Sequence, residues 1–322
     1  MLGKVTTATL VALTLMSGEA SAYSVYVSNE KDNTVTVLDG ESMTAVGSFK
    51  VGRRPRGIVL SADKSQLYIC TSDDNRITVF DTKTNTVTGY MQSGSDPELL
   101  LLHPDGTHLY VSNEDDNMVS VIDTTKSKVV EEVPVGVEPE GLGLSPDGQW
   151  LVNTSETTNM AHVINLKSRK VEDNIVVGAR PRVAKFTLDG KLVWVSSEIG
   201  SSVSVIDFAT RTVIKTIKFQ INGIPKESIQ PVGILMTPDG KTAYVALGPA
   251  NRVAEINLAT QEVERYLLVG QRVWNLALSP DGKRMFTTNG VSNDVSIIDV
   301  PNNKVLKSVP VGRLPWGVVV KP

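Results

Sequence analysis

In 322 residues the chain carries one cysteine, Cys70, and three histidines. A single thiol excludes an internal disulfide, so in an oxidising compartment packing alone must hold the fold. Cys70 follows Leu67-Tyr68-Ile69 in a predicted strand, far from either terminus, which also excludes lipid attachment near the N-terminus. His103 and His108 flank a Pro-Asp-Gly turn and His162 lies in a strand pattern of another repeat. None has metal-ligand spacing, and the pair beside the turn is expected to face solvent. No glycine-rich loop of the phosphate-cradling kind occurs. Charged residues make up 21% of the chain and the net charge is −3, which excludes a disordered chain and argues against a nucleic-acid partner. No stretch keeps a helical apolar period for more than two turns. Beyond residue 22 no apolar run approaches bilayer length, so no membrane anchor is expected.

What is present begins with an export signal. Lys4 precedes the uncharged stretch Val5 to Met16, and Ala20-Ser21-Ala22 supplies small residues for cleavage. The reading is a signal peptide over 1–22, cleaved after Ala22, and a mature periplasmic domain over 23–322.

Internal repetition decides the architecture. Asp39, Asp81, Asp123, Asn165 and Asp207 stand 42 residues apart, Asn257 follows after 50, and Asp299 after another 42. Gly52, Gly94, Gly136 and Gly178, then Gly270 and Gly312, keep the same step and share the same eight-residue insertion. Seven such positions mean seven repeats. Each holds four short strand patterns; in the third repeat these are Leu109 to Ser112, Met118 to Ile122, Lys128 to Val135 and Glu140 to Leu144. The last stops at Pro146-Asp147-Gly148, where proline presets one turn position and glycine supplies positive φ. Four strands in about 40 residues, without helices, describe a blade of an all-β propeller. The chain after residue 22 opens on a second-strand pattern, Tyr23 to Ser28, and ends on an inner-strand pattern, Gly317 to Val320. The N- and C-terminal strands should therefore close one shared blade.

The strands Val25-Tyr26-Val27-Ser28-Asn29 and Leu109-Tyr110-Val111-Ser112-Asn113, with the Val-Gly-x-x-Pro and Ser-Pro-Asp-Gly segments, resemble the YVTN-type β-propeller repeat family over essentially the whole mature chain. The connection Phe219 to Pro231, ending Glu227-Ser228-Ile229-Gln230-Pro231, is similar to that of periplasmic propellers associated with pyrroloquinoline-quinone-dependent alcohol catabolism. That resemblance implies a non-catalytic accessory to quinoprotein oxidation, with a periplasmic quinoprotein dehydrogenase or its cofactor as partner. It does not imply the dehydrogenase itself, which has eight blades and an adjacent cysteine pair.

Recognition is expected on the face that carries the loops after the Val-Gly pairs, because there the repeats differ. The residue entering each inner strand reads Arg56, Glu98, Glu140, Arg182, Val232, Trp274, Trp316, and two positions earlier Arg54, Asp96, Glu138, Arg180, Gln230, Arg272, Leu314. In the neighbouring loops Glu30, Glu114, Glu156 and Glu198 share one repeat position. Two readings stand side by side. The charges neutralise one another around a wet channel, or Arg54, Arg56, Arg180, Arg182, Arg272, Trp274, Arg313 and Trp316 hold a carboxylated planar ligand or a protein partner. On the second reading, replacing Arg182 and Trp274 should weaken binding and barely change stability, and the Phe219 to Pro231 insertion covers the ligand.

The function read from the sequence is a non-enzymatic, monomeric binding scaffold with no bound cofactor and no catalytic or metal residues. The alternatives are a lactonase-like propeller hydrolase, which would need a divalent ion at carboxylates such as Glu114, Glu156 and Glu198, and a propeller that stacks single-stranded nucleic acid on Trp274 and Trp316.

Overall fold

The computed structural model describes residues 23–322, so the expected signal peptide lies outside the described residues. Twenty-eight strands form seven four-stranded antiparallel sheets, each built from consecutive strands except one. In that one, Pro315–Lys321 pairs with Ser24–Asn29, in register from Ser24 opposite Lys321 to Val27 opposite Val318. The C-terminal strand is thus the inner strand of blade 1 and closes the ring. Blade 2 starts at Pro55, blade 3 at Pro97, blade 4 at Pro139, blade 5 at Pro181, blade 6 at Ile234 and blade 7 at Val273. The seven-bladed all-β propeller expected from the repeat is the observed fold. Among the described residues the strands are joined by two single-turn 3-10 helices, Ser72–Asp74 and Lys226–Ser228.

The apolar core is divided among the seven blade interfaces, with one buried cluster in each. Between blades 1 and 2, Tyr26, Val35 and Val37 pack on Leu67, Ile69 and Phe80; between blades 5 and 6, Trp194, Val203 and Val205 pack on Ile234, Val245 and Ile256. Alternation along each strand sends neighbouring side chains to opposite blades, so the two middle strands of each blade are buried on both faces while the outer strand is largely exposed. Cys70, fully buried between blades 2 and 3, has its thiol pushed well up by desolvation.

One end of the ring carries the Pro-Asp-Gly hairpins. Their aspartates serve the turn: Asp147 accepts from the Gln149 amide and the Ser145 hydroxyl, and Asp281 does the same with Lys283 and Ser279. The other end carries the variable loops.

Candidate functional site at the channel mouth

Two backbone devices aim side chains at the mouth of the central channel. The residue two before each ring position takes a positive φ of 49–57° at Arg54, Asp96, Glu138, Arg180, Arg272 and Leu314. These are left-handed conformations that a non-glycine residue keeps only when its surroundings hold it. The hold comes from the preceding blade. Asn33, Asn75, Asn117, Asn159, Asn251 and Asn293 each accept the amide of the corresponding loop residue through Oδ1, at 2.8–3.1 Å. The second device is a β-bulge: pairing shifts between Pro55 and Ile58, Pro97 and Leu100, Pro139 and Leu142, Pro181 and Ala184, and Val273 and Leu276. The bulge breaks the strand alternation and turns Arg56, Glu98, Glu140, Arg182 and Trp274 toward the channel.

Blade spacing then brings these residues into one chain of ion pairs. Arg54 donates to Asp96 at 2.7 Å and to Glu98 at 2.8 Å. Arg56 Nε lies 2.6 Å from Glu98 Oε2 and its Nη2 lies 3.6 Å from Glu140. Arg182 donates to Glu140 at 2.8 Å and also to Glu156, while Glu198 stands 3.6 Å away. Arg180 donates to Glu156 at 2.6 Å and lies 3.4 Å from Glu198, which Arg272 approaches to 3.7 Å. The guanidinium of Arg272 stacks 4.6 Å from the Trp274 ring, with that of Arg182 6.0 Å away, and Arg56 lies 4.8 Å from Trp316. A cavity of about 210 Å³ opens among these groups.

The network holds seven carboxyls (Glu30, Asp96, Glu98, Glu114, Glu140, Glu156, Glu198) against five guanidiniums. The surplus acid shows in the titration. Burial pushes Glu98 well up, Glu114 up, and Glu156 up to about 7, against the pull of the arginines. Burial opposes the charge on Arg56, but Glu98 and Glu140 outweigh it and hold that guanidinium above its ordinary value.

The expected site residues therefore divide. Arg56, Arg182 and Trp316 are buried beneath the mouth, with the Arg56 and Arg182 guanidiniums already taken by carboxylates. Arg54 is paired with Glu30, Asp96 and Glu98 and mostly covered. Arg180 and Arg272 remain open, with side chains 45% and 37% exposed, beside half-buried Trp274. Arg313 does not line the cavity; it turns outward to Asp32 at 2.6 Å, as its repeat counterpart Arg53 does to Asp74. The structure thus revises the expectation for Arg182: its removal would strand buried carboxylates, so it cannot serve as a stability-neutral probe. The insertion 219–231 also differs from expectation. Phe219 and Ile229 are buried in the blade 5–6 core with Ile221 and Ile224 packed on them, and no residue of the loop lines the mouth cavity.

Asp96, Glu98 and Glu114 bring carboxylate oxygens within 4.8 Å of one another, the feature a divalent ion would use. Arg54 occupies that cluster with two of its nitrogens. Among the described residues no nucleophile–base pair faces the mouth: His162 takes the Gly136 amide on Nε2 and donates from Nδ1 to Asn174 Oδ1, and His103 and His108 lie on the hairpin face.

With that geometry in place, comparison with known proteins adds the family. The choice-of-anchor I domain profile matches residues 118–292. The chain belongs to the choice-of-anchor I domain family. No curated protein matches the sequence. Among solved structures, hydrazine synthase of Kuenenia stuttgartiensis is 22% identical, with a TM-score of 0.77 over 85% of this chain and 92% of that one. A Bacteroides fragilis protein provisionally designated a 6-phosphogluconolactonase is 18% identical, with a TM-score of 0.79 over 95% and 99%. Dihydro-heme d1 dehydrogenase NirN, solved with its ligand DHE, is 16% identical, with a TM-score of 0.70 over 92% of this chain and 74% of that one. At such identities the likeness is one of fold, and this choice-of-anchor I propeller shares its scaffold with proteins of unlike chemistry. No helix of the described residues is long and apolar enough to cross a membrane.

Proposed function

We propose that this propeller is a non-catalytic recognition protein working at the channel mouth outside the cytoplasm, its mature chain beginning at Tyr23. One observation carries the reading: Arg180, Arg272 and Trp274 stand open at the mouth on a base of buried, mutually paired charges. Buried ion pairs contribute little net stability. They hold the exposed guanidiniums in fixed positions, and a preorganised arginine fork beside a flat indole suits a planar carboxylate. The resemblance of the repeats and of the 219–231 connection to propellers of quinone-dependent alcohol catabolism supports a finer proposal. The ligand would be the tricarboxylated quinone cofactor, or the quinoprotein dehydrogenase that carries it.

The surplus of carboxyls shapes this recognition. A polyanion approaching seven acids and five arginines is welcome only while some acids hold protons. Affinity for a free carboxylated ligand should therefore rise as pH falls below the Glu156 range, about 7. Calorimetric titration of the wild type and the Arg272→Ala/Trp274→Ala variant with pyrroloquinoline quinone, and pull-down of the dehydrogenase, test the proposal. A loss on the order of 2 kcal/mol for each true anchor is expected. Equal binding by both proteins would refute it. The hydrolase alternative is weaker because Arg54 fills the only carboxylate triplet found among the described residues that would hold an ion.

A further inference from the structure

The interface between blades 3 and 4 contains a cavity of about 400 Å³, on the hairpin face, away from the channel mouth. Its wall is apolar and buried, from Val119, Val121 and Val133 on one side to Leu151 and Ile164 on the other, with Trp150 beside them. The repeat itself explains why the space exists here. The position of Val133 is occupied by Phe49 in blade 1 and Met91 in blade 2, both of which fill their own interfaces. Blade 7 also has valine there, Val309, but Tyr23 and Phe286 fill its interface; between blades 3 and 4 Gln149 stands in place of Tyr23, and the space stays open.

A second departure from the repeat points into that room. Tyr26 donates its hydroxyl to the Thr82 carbonyl. Its counterpart Tyr110 lines the cavity with Leu166, which stands where Thr82 and Thr124 do in the repeat and offers the hydroxyl no polar group. Its hydroxyl is free to donate to a ligand in the cavity.

The third departure is at the opening. Every other hairpin of this type places Ser or Thr before the turn, as Ser61, Ser145, Thr187, Thr237 and Ser279. Blade 3 has His103, whose Nδ1 lies 3.0 Å from Asp105 and whose Nε2 lies 3.0 Å from the Gly148 carbonyl of the next blade. His108 contacts the same Asp105 at 2.7 Å. Asp105 also accepts two hairpin amides, from Thr107 and His108, and its own amide donates to His103 Nδ1. Exposed Lys167 pairs with no acid among the described residues, and Arg169 is shared with Glu131 at 3.2 Å. Lys167 is thus the rim charge available to an anion.

We propose that this interblade cavity binds a small aromatic or aliphatic monocarboxylate, its apolar body against Val121, Val133 and Ile164 and its carboxylate toward Lys167, with the Tyr110 hydroxyl donating to it. The size suits such a ligand: a cavity of about 150 Å³ accommodates one benzene ring, and small-molecule sites begin near 300 Å³. The proposal is independent of the role of the channel mouth.

Calorimetry with 1-naphthoate and its uncharged analogue 1-naphthylmethanol tests it. The wild type should bind one naphthoate per chain, at least about tenfold more tightly than the alcohol. Val133→Phe, which restores the blade 1 residue, should weaken naphthoate roughly tenfold or more by filling the space. Tyr110→Phe should weaken it roughly fivefold, because the carboxylate loses a donor. Lys167→Glu with Arg169→Glu, both on the surface, should erase the preference for the acid over the alcohol, and this holds as a test even if Val133→Phe does not fold. A naphthoate Kd above about 1 mM in the wild type would overturn the proposal, as would unchanged binding in folded Val133→Phe or an unchanged preference in the double charge reversal.

Discussion

Arg182 Nη2 lies 2.8 Å from Glu140 Oε1, across a blade boundary and 42 residues apart in sequence, with both side chains almost sealed from water. The pair links the inner strands of blades 4 and 5 at the channel mouth and hands the charge on to Glu156 and Glu198. Its energetics set the first expectation.

Arg182→Ala should destabilise the protein by about 3–5 kcal/mol, because it leaves buried carboxylates without a counter-charge. Arg272→Ala, at an open position, should cost less than about 1 kcal/mol. Urea denaturation of the two variants compares them directly. Equal losses would show that the network does not rank its members by burial.

The pH dependence follows from the surplus of acids. Glu156 binds its proton more tightly in the fold, up to about 7, than in the unfolded chain, and Glu98 and Glu114 shift in the same direction. Their contribution to stability is fully present below the ordinary carboxylate range and is lost as pH rises through the folded-state values, about 7 for Glu156. The hairpin aspartates, among them Asp63 at about 2, shift the other way, and their contribution is lost only as pH falls below the ordinary range. Melting temperature should therefore be higher at pH 5.5 than at pH 8, and Glu156→Gln should flatten that slope. A scanning-fluorimetry series across this range would detect the opposite sign at once.

The asparagine latches should be worth a measurable amount each. Asn117 Oδ1 takes the Glu138 amide at 3.1 Å while Asn117 itself sits at φ 57°. Asn117→Gly keeps the backbone conformation at little steric cost and removes the bond, so about 1–2 kcal/mol should be lost. Asn117→Ala should lose more, since alanine resists that φ. Chemical denaturation of the two variants gives the order, and alanine as the milder change would disprove the latch.

Ring closure rests on Pro315–Lys321 as the inner strand of blade 1. Deleting residues 317–322 exposes the edge of Ser24–Asn29 and opens the blade 7–1 core, where Val318 and Val320 pack with Val25 and Val27. Cooperative unfolding near room temperature is expected by circular dichroism, and a retained melting temperature would contradict closure by this strand.

Cys70 supplies a probe of the same closure. Its thiol is buried and shifted up, so a thiol reagent such as dithionitrobenzoate should react only after unfolding. Rapid labelling of the native protein would mean that the blade 2–3 interface opens locally.

The fold was legible because a propeller writes itself as a period: one turn aspartate and one glycine per blade, 42 residues apart, already implied seven blades and the shared terminal blade. The same period exposed the variable ring at the mouth, since positions that differ between copies stand out against positions that repeat. Which ring members are free was decided only in three dimensions. Arg182 and Arg180 are two residues apart and alike in sequence, yet the bulge buries one among Glu140, Glu156 and Glu198 and leaves the other half open. His103 and His108, part-exposed on the hairpin face, also contact Asp105 at the rim of a cavity, which their spacing does not announce. No local pattern announces that cavity, because it depends on Val133 meeting Ile164 and Leu166 of the next blade. Periodicity is a property of one strand after another and can be read along the chain. Ion pairing and empty volume are properties of side chains about 40 residues apart meeting across a blade interface, where burial and packing density, not order in sequence, set the outcome.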